Sequence, residues 1–383
     1  AVPEEFCAEG YQPKDNGDGT YGVIEHTCSY TEQYFEATFE ADAYTVYTCS
    51  CGDTYTVTHE GTKKIAVAIV NGEKFETLAG AIAAAQDGET ITLLADIDVG
   101  TGNALIRGKE ITIDLNGHNI TGTGYRVLFV DLLASQNKDG KLTLVGNGTV
   151  ENTGTTSGNS YAVYVGGNSE LVVETGATVK SANGYAVFMA PMGAGRVSKL
   201  TVNGGTVTGR YAVSGSGQLT DTSTVITVNS GAVIGTEVGI YQPQPGTVTV
   251  NGGTVSGDLA ALAMRRGTAS ITGGTIVGLI DVLGDYDATN VAITGGDFTN
   301  ATLQYADGNG NVVTKADAVE LTAPADYKWV NGVLTACEYV AEINGVKFES
   351  LADAIAAAQD GETIVLLDDI VLTEGVVVGA DKN

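Results

Sequence analysis

The fold is decided by a stretch in the middle of the chain, Thr249-Val-Asn-Gly-Gly-Thr-Val-Ser-Gly257, which recurs with small changes. Close copies begin at Thr201 and Ser270, and a shorter copy begins at Ala292. Looser copies lie before and between them, and one glycine marks each copy: Gly117, Gly148, Gly176, Gly205, Gly231, Gly253, Gly274 and Gly296. Successive markers are 31, 28, 29, 26, 22, 21 and 22 residues apart. A basic period of 21–22 residues, with insertions in the early copies, is typical of one coil of a parallel β-solenoid.

Apolar residues occupy the same three positions around each marker. The position just before the turn holds Ile113, Leu144, Val173, Val202, Val228, Val250, Ile271 and Ile293. Two residues earlier lie Ile111, Leu142, Leu171, Leu200, Ile226, Val248, Ala269 and Val291, and after the turn lie Ile120, Val150, Val179, Val207, Val233, Val255, Ile276 and Phe298. Because side chains alternate along a strand, stacking of coils about 4.8 Å apart would place each apolar residue on its equivalent in the next coil. The sequence therefore predicts an all-β protein, a right-handed parallel β-helix.

The turns and a further strand complete each predicted coil. Asn203-Gly204, Asn251-Gly252 and Gly273-Gly274 are residues that tolerate positive φ, which a sharp turn between strands requires. The further strand is predicted from short aromatic or apolar segments between the turns: Tyr161–Val165, Tyr185–Phe188, Tyr211–Val213, Val238–Tyr241 and Leu259–Leu262. Its distance from the turn varies, so the insertions are expected in the loop between them.

A second, longer repeat flanks the coils. Asn71–Ile97 and Asn344–Ile370 are identical at 22 of 27 positions. Apolar residues at helical spacing in the Ala-rich part predict a short helix near 77–86, which would cover the open end of the first coil. The second copy, within 338–383, either opens a second solenoid or folds back to cap the first.

The repeats carry a resemblance to a known family. Ala81-Ile-Ala-Ala-Ala-Gln-Asp-Gly-Glu-Thr-Ile91 resembles the opening segment of pectate-lyase-like right-handed β-helix proteins. The Gly-Gly-Thr-Val coils resemble the repetitive surface proteins of gut Gram-positive bacteria that are built on that fold. The resemblance covers about 65–300 and restarts near 340. It implies the architecture rather than an activity, since the fold hosts lyases, hydrolases and adhesins.

Composition and charge divide the chain and exclude some classes. The 383 residues carry a net charge of −27, and 43% of them are apolar, which argues against disorder. Residues 1–64 and 301–383 have net charges of −9 and −10, whereas 141–280 has +1. We therefore predict a small Cys-bearing β module at 1–64, the β-helix at 65–300, a β-rich junction at 301–337 and the second repeat unit from 338. The acidity argues against a nucleic-acid partner, and no apolar run is long enough for insertion into a membrane.

Cysteines cluster in the N-terminal module. Cys7, Cys28, Cys49 and Cys51 lie before residue 60, as do His26 and His59. A module this short needs a staple, which would be disulfides or a structural zinc ion, although Cys49-Ser-Cys51 lacks the usual CxxC spacing. Unmodified thiols are the third alternative. The fifth cysteine, Cys337, is interpreted as a buried or linker thiol.

Acidic side chains on adjacent coils are the candidates for catalysis. Glu237, Asp258 and Asp281 follow their turns at similar distances, and glycoside hydrolysis needs two carboxyl groups that flank the scissile bond. A polysaccharide lyase would need a basic residue, for which Arg265 or Arg266 could serve. No Gly-His-Gly pattern of the β-helix hydrolases is present, and no Asp-Asp pair lies within 65–300, so the favoured interpretation of these charges is a soluble surface.

A binding strip is the alternative use of the same face. Tyr241, Arg265, Arg266 and Tyr286 follow their markers at similar distances, and aromatic and arginine side chains suit ligand contact. The sequence thus favours a non-catalytic extracellular or cell-surface adhesion protein. It would be a β-helix stalk that binds host or matrix glycans or proteins and needs no cofactor. The competing hypothesis is a carbohydrate-active enzyme, a lyase or a glycoside hydrolase.

Overall fold

The computed structural model describes residues 11–50, 52–155, 160–217, 222–283, 290–306, 312–313, 323, 325–330, 333–372 and 375–379. The chain divides into two compact units, Ala1–Ala81 and Ile82–Asn383. Strands make up 57% of the structure and helices 5%, and a β-solenoid of about eight turns dominates it. These features confirm the predicted all-β solenoid.

The first unit is built from antiparallel strands. They are β1 (Tyr11–Asp15), β2 (Tyr21–Glu25), β3 (Tyr30–Phe35), β4 (Ala43–Cys49), β5 (Thr54–His59), β6 (Ala68–Val70) and β7 (Glu73–Phe75). β1 pairs with β2, β6 pairs with β7, and β3, β4 and β5 form a three-stranded sheet. Between residues 11 and 64, the described residues that are buried are Ala43, Thr45 and Cys49. This part of the unit therefore has almost no apolar core.

The second unit contains the solenoid. Its coils are formed by β8 (Thr90–Leu93), β9 (Ile97–Asp98), β10 (Ala104–Arg107), β11 (Glu110–Asp114), β12 (Ile120–Gly122), β13 (Arg126–Asp131), β14 (Lys141–Val145), β15 (Gly148–Asn152), β16 (Tyr161–Gly166), β17 (Glu170–Glu174), β18 (Ala177–Ala190), β19 (Val197–Gly215), β20 (Ser223–Gln242), β21 (Gly246–Val250), β22 (Thr254–Met264), β23 (Thr268–Ile271), β24 (Thr275–Leu283), β25 (Asn290–Ile293) and β26 (Asp297–Ala306). A short 3-10 helix, Ala134–Gln136, lies between β13 and β14.

Each coil contributes a strand to three faces, and strands of successive coils pair in parallel. The first face contains β8, β11, β14, β17, the first parts of β19 and β20, β21, β23 and β25. The second face begins with β9, β12 and β15, and the third begins with β10, β13 and β16. From β18 onward, long strands bend from the second face into the third without a break.

The three predicted apolar columns line the interior of the solenoid. On the first face, Ile113 pairs in register with Leu144, and Leu144 with Val173, and the column continues coil by coil to Ile293. Every residue of the three columns is 3% exposed or less. Full burial of one such aliphatic side chain contributes about 1.5–3 kcal/mol, and the stack repeats that contribution in each coil. The register and burial confirm the predicted columns.

The turns use glycine and asparagine differently from the prediction. Gly253 and Gly274 have positive φ, and a Cβ on either would lie within 2.7 Å of the marker-glycine carbonyl one coil earlier. Asn203 and Asn251 do not adopt positive φ, whereas Asn116, beside the first marker glycine, does, with φ of 48°. Asn251 donates to Asn229 and Asn229 donates to Asn203, each at 2.8 Å, so their side chains form a ladder across three coils. In these later coils glycine therefore makes the turn, and asparagine links one turn to the next.

Helix α1 (Leu78–Ala84) precedes the first coil and lies within the predicted 77–86. Lys109, which directly precedes β11, places its ammonium group against the carboxyl end of this helix. Its Nζ donates to the carbonyl oxygens of Ile82, Ala83 and Ala85 at 2.6–2.7 Å. A cation at this position satisfies carbonyls that lack partners within the helix and interacts favourably with the helix dipole. The helix end is thus attached to the coil that follows.

The chain continues beyond the solenoid with short elements. They are β27 (Val312–Val313), β28 (Tyr327–Val330), β29 (Val333–Ala336), β30 (Ala341–Ile343), β31 (Val346–Phe348), α2 (Leu351–Ala357) and β32 (Val365–Leu366). The last four repeat the order of β6, β7, α1 and β8, as the sequence repeat predicts. Neither α1 nor α2 is long enough to cross a membrane, and no other described segment forms a helix that could do so.

Candidate functional site

The third face carries a continuous row of aromatic side chains, which we call the aromatic strip. It consists of Tyr125, Phe129, Tyr161, Tyr164, Tyr185, Phe188, Tyr211 and Tyr241. The strip follows from register: Phe129 pairs with Tyr164, and Tyr164 pairs with Phe188 on the next coil. These residues alternate with interior residues such as Val163 and Val187, which are fully buried. Strand alternation therefore turns the rings outward while the aliphatic side chains fill the core.

The rings contact one another across five successive coils. Tyr161 stacks on Phe188 with ring centroids 4.5 Å apart, and Tyr125 meets Tyr161 edge to face at 4.8 Å. Further along, Tyr185 lies 5.2 Å from Tyr211, whose ring is 6.0 Å from Tyr241. These separations are those of favourable aromatic pairs. The strip is therefore a packed surface whose rings hold one another in place.

Arginine side chains lie over the strip near its start. The guanidinium carbon of Arg126 is 3.8 Å from the ring centre of Phe129 and 5.2 Å from that of Tyr164. Arg107 lies 5.9 Å from the same Phe129 ring and pairs with Asp131 at 3.3 Å. Stacking on a ring engages the face of a guanidinium but leaves its N–H groups available at the edge. Arg126 thus lies over two rings of the strip.

A groove of about 550 Å³ opens beside these arginines. Its walls include Arg107, Arg126, Arg196, Phe129 and Tyr164, with further lining from Asp131, Leu132, Leu133, Ala134, Ser135, Gly166 and Met192. Within the described residues, neither Arg126 nor Arg196 has a carboxylate within ion-pair distance. Three arginines and one aspartate therefore give the groove a local positive charge in an acidic protein.

Tyr161, Tyr164 and Tyr185 of the strip remain neutral phenols over a wide pH range. Burial raises the pKa of Tyr161 above its usual value, and its hydrogen bond with Tyr125 raises it further. Burial also raises the pKa of Tyr164 and that of Tyr185. The strip thus presents uncharged rings to a ligand, while the arginines carry the charge.

Two of the candidate catalytic carboxylates are held by arginines. The carboxylate of Glu237 lies 2.7 Å from Nε of Arg210, and that of Asp281 lies 2.5 Å from a terminal nitrogen of Arg265. Asp281 pairs in register with Ala263, which itself pairs with Tyr241. Glu237 and Asp281 therefore serve separate ion pairs along the edge of the strip.

The remaining predicted site residues lie at different places. Asp258 is exposed and directly follows Gly257, whose register partner is Gly235. Tyr241 belongs to the aromatic strip, and Arg265 lies 5.8 Å from its ring.

Arg266 lies two residues after the end of β22. Its backbone N–H donates to the carbonyl of Gln242. Tyr286 lies outside the described residues.

The first unit brings together three of its sulfur and imidazole groups. His26, Cys28 and Cys49 place their ligand atoms within 4.8 Å of one another. Cys7 and Cys51 lie outside the described residues. Cys337, in the second unit, is half-buried, and desolvation raises the pKa of its thiol.

Sequence reasoning did not identify most of the strip and groove. The missed residues are Arg107, Tyr125, Arg126, Phe129, Tyr161, Tyr164, Tyr185, Phe188, Arg196 and Tyr211. One signal was present, because Tyr161-Ala-Val-Tyr164 and Tyr185-Ala-Val-Phe188 carry aromatic residues at the same spacing in successive coils. The arginines gave no such signal, since they come from loops and strands of different coils.

Comparison with known proteins assigns no family to the chain. No protein-family model, curated protein or solved structure matches the chain. The resemblance to pectate-lyase-like proteins rests only on the short motifs quoted above. The chemistry of the strip and groove is therefore the basis for a functional assignment.

Proposed function

We propose that this chain is a non-catalytic binding protein of the cell exterior, a β-helix stalk that binds acidic glycans along the aromatic strip. The observation that carries the proposal is the groove beside the strip, where Arg126 and Arg196 lie next to aromatic rings without carboxylate partners among the described residues. A surface-protein role of this kind also agrees with the motif resemblance of the Gly-Gly coils.

The aromatic rings suit the apolar faces of sugars. Tyr125 is 50% exposed, and Phe129, Tyr185 and Phe188 are partly exposed beside it. Rings of this kind offer a large apolar surface, and tyrosines add a hydroxyl that can hydrogen-bond to a sugar hydroxyl. Because the rings pack on one another, little conformational entropy is lost when a ligand lies on them.

The arginines select for acidic groups on the sugar. A guanidinium presents its N–H groups as a planar fork that matches a carboxylate or a sulfate. Arg126 is already ordered by its contact with Phe129, so binding does not have to fix it. A uronic acid or sulfated sugar could thus contact the ring surface and the guanidinium groups at the same time.

The ion pairs support binding rather than turnover. Hydrolysis of a glycosidic bond needs one carboxyl group as acid and a second as base or nucleophile across the same bond. Glu237 and Asp281 instead contact Arg210 and Arg265, and neither lines the groove. Asp281 also forms an ion pair with Arg265, one of the two candidate bases for a lyase.

The test is calorimetric titration of the full chain with a short oligosaccharide of uronic acids and with a neutral oligosaccharide of equal length. We expect the acidic ligand to bind more tightly. Arg126→Gln and Arg196→Gln should each weaken its binding about tenfold, because a hydrogen bond to a charged group contributes about 1.5–3 kcal/mol. Neutral-ligand binding should change little in these variants.

Lys180→Gln is the matched control, since Lys180 pairs with Glu151 on the second face, away from the strip. It removes one positive charge and should change the affinity less than twofold. An equal loss in Lys180→Gln and Arg126→Gln would show non-specific attraction and contradict the proposal. Formation of new reducing ends or unsaturated products, abolished by Glu237→Gln, would instead establish the enzyme hypothesis.

A further inference from the structure

The N-terminal unit holds a second site that is independent of the strip. His26 follows β2, Cys28 precedes β3, and Cys49 is the last residue of β4. The connection between β2 and β3 and the end of β4 thus bring an imidazole and two sulfur atoms within 4.8 Å of one another. Imidazole and thiolate together are the preferred ligands of zinc in structural sites.

The imidazole is already oriented as a ligand. Nδ1 of His26 lies 3.0 Å from Oε1 of Gln12, a carbonyl oxygen that can only accept a hydrogen bond. Nδ1 therefore carries the proton, and Nε2 presents its lone pair towards Sγ of Cys49, 3.0 Å away. Metal-binding histidines are usually fixed in this way, with the second ring nitrogen donating to an oxygen.

The surroundings show why a ligand is needed here. Cys49 is 2% exposed, while the only other buried described residues between 11 and 64 are Ala43 and Thr45. A sheet with so small a core buries too little apolar surface to offset the entropy of ordering its strands. A metal that joins the β2–β3 connection to the end of β4 would supply the missing free energy.

We propose that His26, Cys28 and Cys49 bind one Zn²⁺ ion. Bond lengths of about 2.3 Å to sulfur and 2.0–2.1 Å to nitrogen require about 3.6 Å between a nitrogen and a sulfur ligand. The observed nitrogen–sulfur distance to Cys49 is 3.0 Å and all three atoms lie within 4.8 Å, so small side-chain rotations suffice. Both thiols lose their protons on binding, and the two thiolates neutralise the charge of the ion.

The position of the imidazole favours a metal over a disulfide. A Cys28–Cys49 disulfide would use both sulfur atoms and would leave Nε2 of His26 facing a sulfur that has no proton to donate. A zinc ion uses all three groups. It also links the end of the β1–β2 hairpin to the sheet of β3, β4 and β5.

The first experiment uses the unaltered full chain. The protein is purified without chelator, its zinc is measured by mass spectrometry of the metal, and each cysteine is tested for alkylation before and after chelation. We expect about one zinc ion per chain, with Cys28 and Cys49 protected until the zinc is removed. Cys337, in the other unit, serves as the internal reference and should react equally in both states.

A zinc-free chain, or a Cys28–Cys49 cross-link that yields to a reductant but not to a chelator, would overturn the proposal. Replacement by Co²⁺ gives a second readout, because sulfur-to-cobalt charge-transfer bands report thiolate ligands without any mutation.

Variants then identify the ligands one by one. His26→Gln and Cys28→Ser should each lower zinc affinity at least tenfold, and the cobalt spectrum of Cys28→Ser should lose charge-transfer intensity. His59→Gln is the control in the same sheet, since His59 hydrogen-bonds to Thr45 at 2.9 Å, away from the cluster. It should leave zinc binding unchanged. Unchanged affinity in His26→Gln would contradict the assignment of the imidazole.

Discussion

Two tyrosines of the aromatic strip are buried, and their burial raises the pKa of their phenol groups. Tyr161 and Tyr164 are 4% and 8% exposed, although both belong to the outer face of the solenoid. The neighbouring rings, rather than the solenoid core, exclude water from them. Because an apolar environment disfavours the charged phenolate, the pKa of each is raised.

The buried tyrosines should ionise only when the fold is lost. Their folded pKa lies above the unfolded value of about 10, so the folded state holds more protons above that pH. The stability that they contribute is complete below about pH 10 and decreases as the pH rises further. In an alkaline titration followed by tyrosinate absorbance, we expect an early phase from exposed tyrosines and a late phase that coincides with loss of the β signal.

A matched titration in denaturant provides the control, since all tyrosines should then ionise in one step near about pH 10. Tyr161→Phe should decrease the late phase only. A single phase in the native protein would contradict the burial of these rings.

Strands β8 and β32 lie in nearly identical segments of sequence, but the apolar side chains of the first are buried and those of the second are exposed within the second unit. Leu93 in β8 is fully buried, and β8 pairs with β11 of the next coil. Its equivalent in the second copy, Leu366 in β32, is 57% exposed. The sequence around the two leucines is nearly the same, so the difference arises from the coil that packs on the first copy.

The different exposure of the two leucines predicts that the same substitution will change the free energy of unfolding by different amounts. Leu93→Ala should lower the free energy of unfolding by about 2–5 kcal/mol, because it leaves a cavity under the second coil. Leu366→Ala should change it by less than about 0.5 kcal/mol, because the side chain already contacts solvent. Urea unfolding followed by circular dichroism measures both, and each variant is the control for the other. Equal losses would mean that the second copy is covered as fully as the first.

Charge acts on two length scales in the whole molecule. The net charge is −27, yet the groove beside the strip contains three arginines and one aspartate. A short acidic ligand in the groove senses mainly the nearby guanidinium groups. A long polyanion also senses the repulsion of the entire chain when salt does not screen it, since the Debye length is about 8 Å at 0.15 M salt and about 30 Å at 0.01 M.

If acidic glycans are the ligand, salt should affect short and long ligands differently. The affinity for a uronic acid trisaccharide should rise steadily as sodium chloride is lowered from about 0.5 M to 0.01 M. The affinity for a long polyuronate should pass through a maximum and fall at the lowest salt, because long-range repulsion then opposes the local attraction. Titrations at five salt concentrations would measure both curves. A steady rise for the polymer would contradict the role of the net charge.

Much of the solenoid could be predicted from particular residues. The columns through Ile113 and Ile120 were correct because a stack of coils requires the same inward position in each copy. The predicted turn pairs were correct for Gly204 and Gly274, which have positive φ, but wrong for Asn203 and Asn251, which form a ladder between coils. A ladder depends on neighbours one coil away, and a local turn pattern does not contain that information.

The candidate site was less accessible to prediction. Tyr241 and Arg265 were identified from their distance to a marker glycine, and they lie 5.8 Å apart at one end of the strip. The groove residues Arg107, Arg126 and Arg196 were not identified. They come from different coils, and insertions change the number of residues between their strands and the markers.

The amino-acid sequence by itself determined the all-β fold, the coil period and the inward columns. The physical reason is repetition, because an interior shared by stacked coils requires an apolar residue at the same position in each coil. Only the tertiary structure decided which outward side chains become neighbours on the third face. Coil lengths vary from 21 to 31 residues, so strand pairing, not distance along the chain, brings Arg126 onto Phe129 and Tyr164.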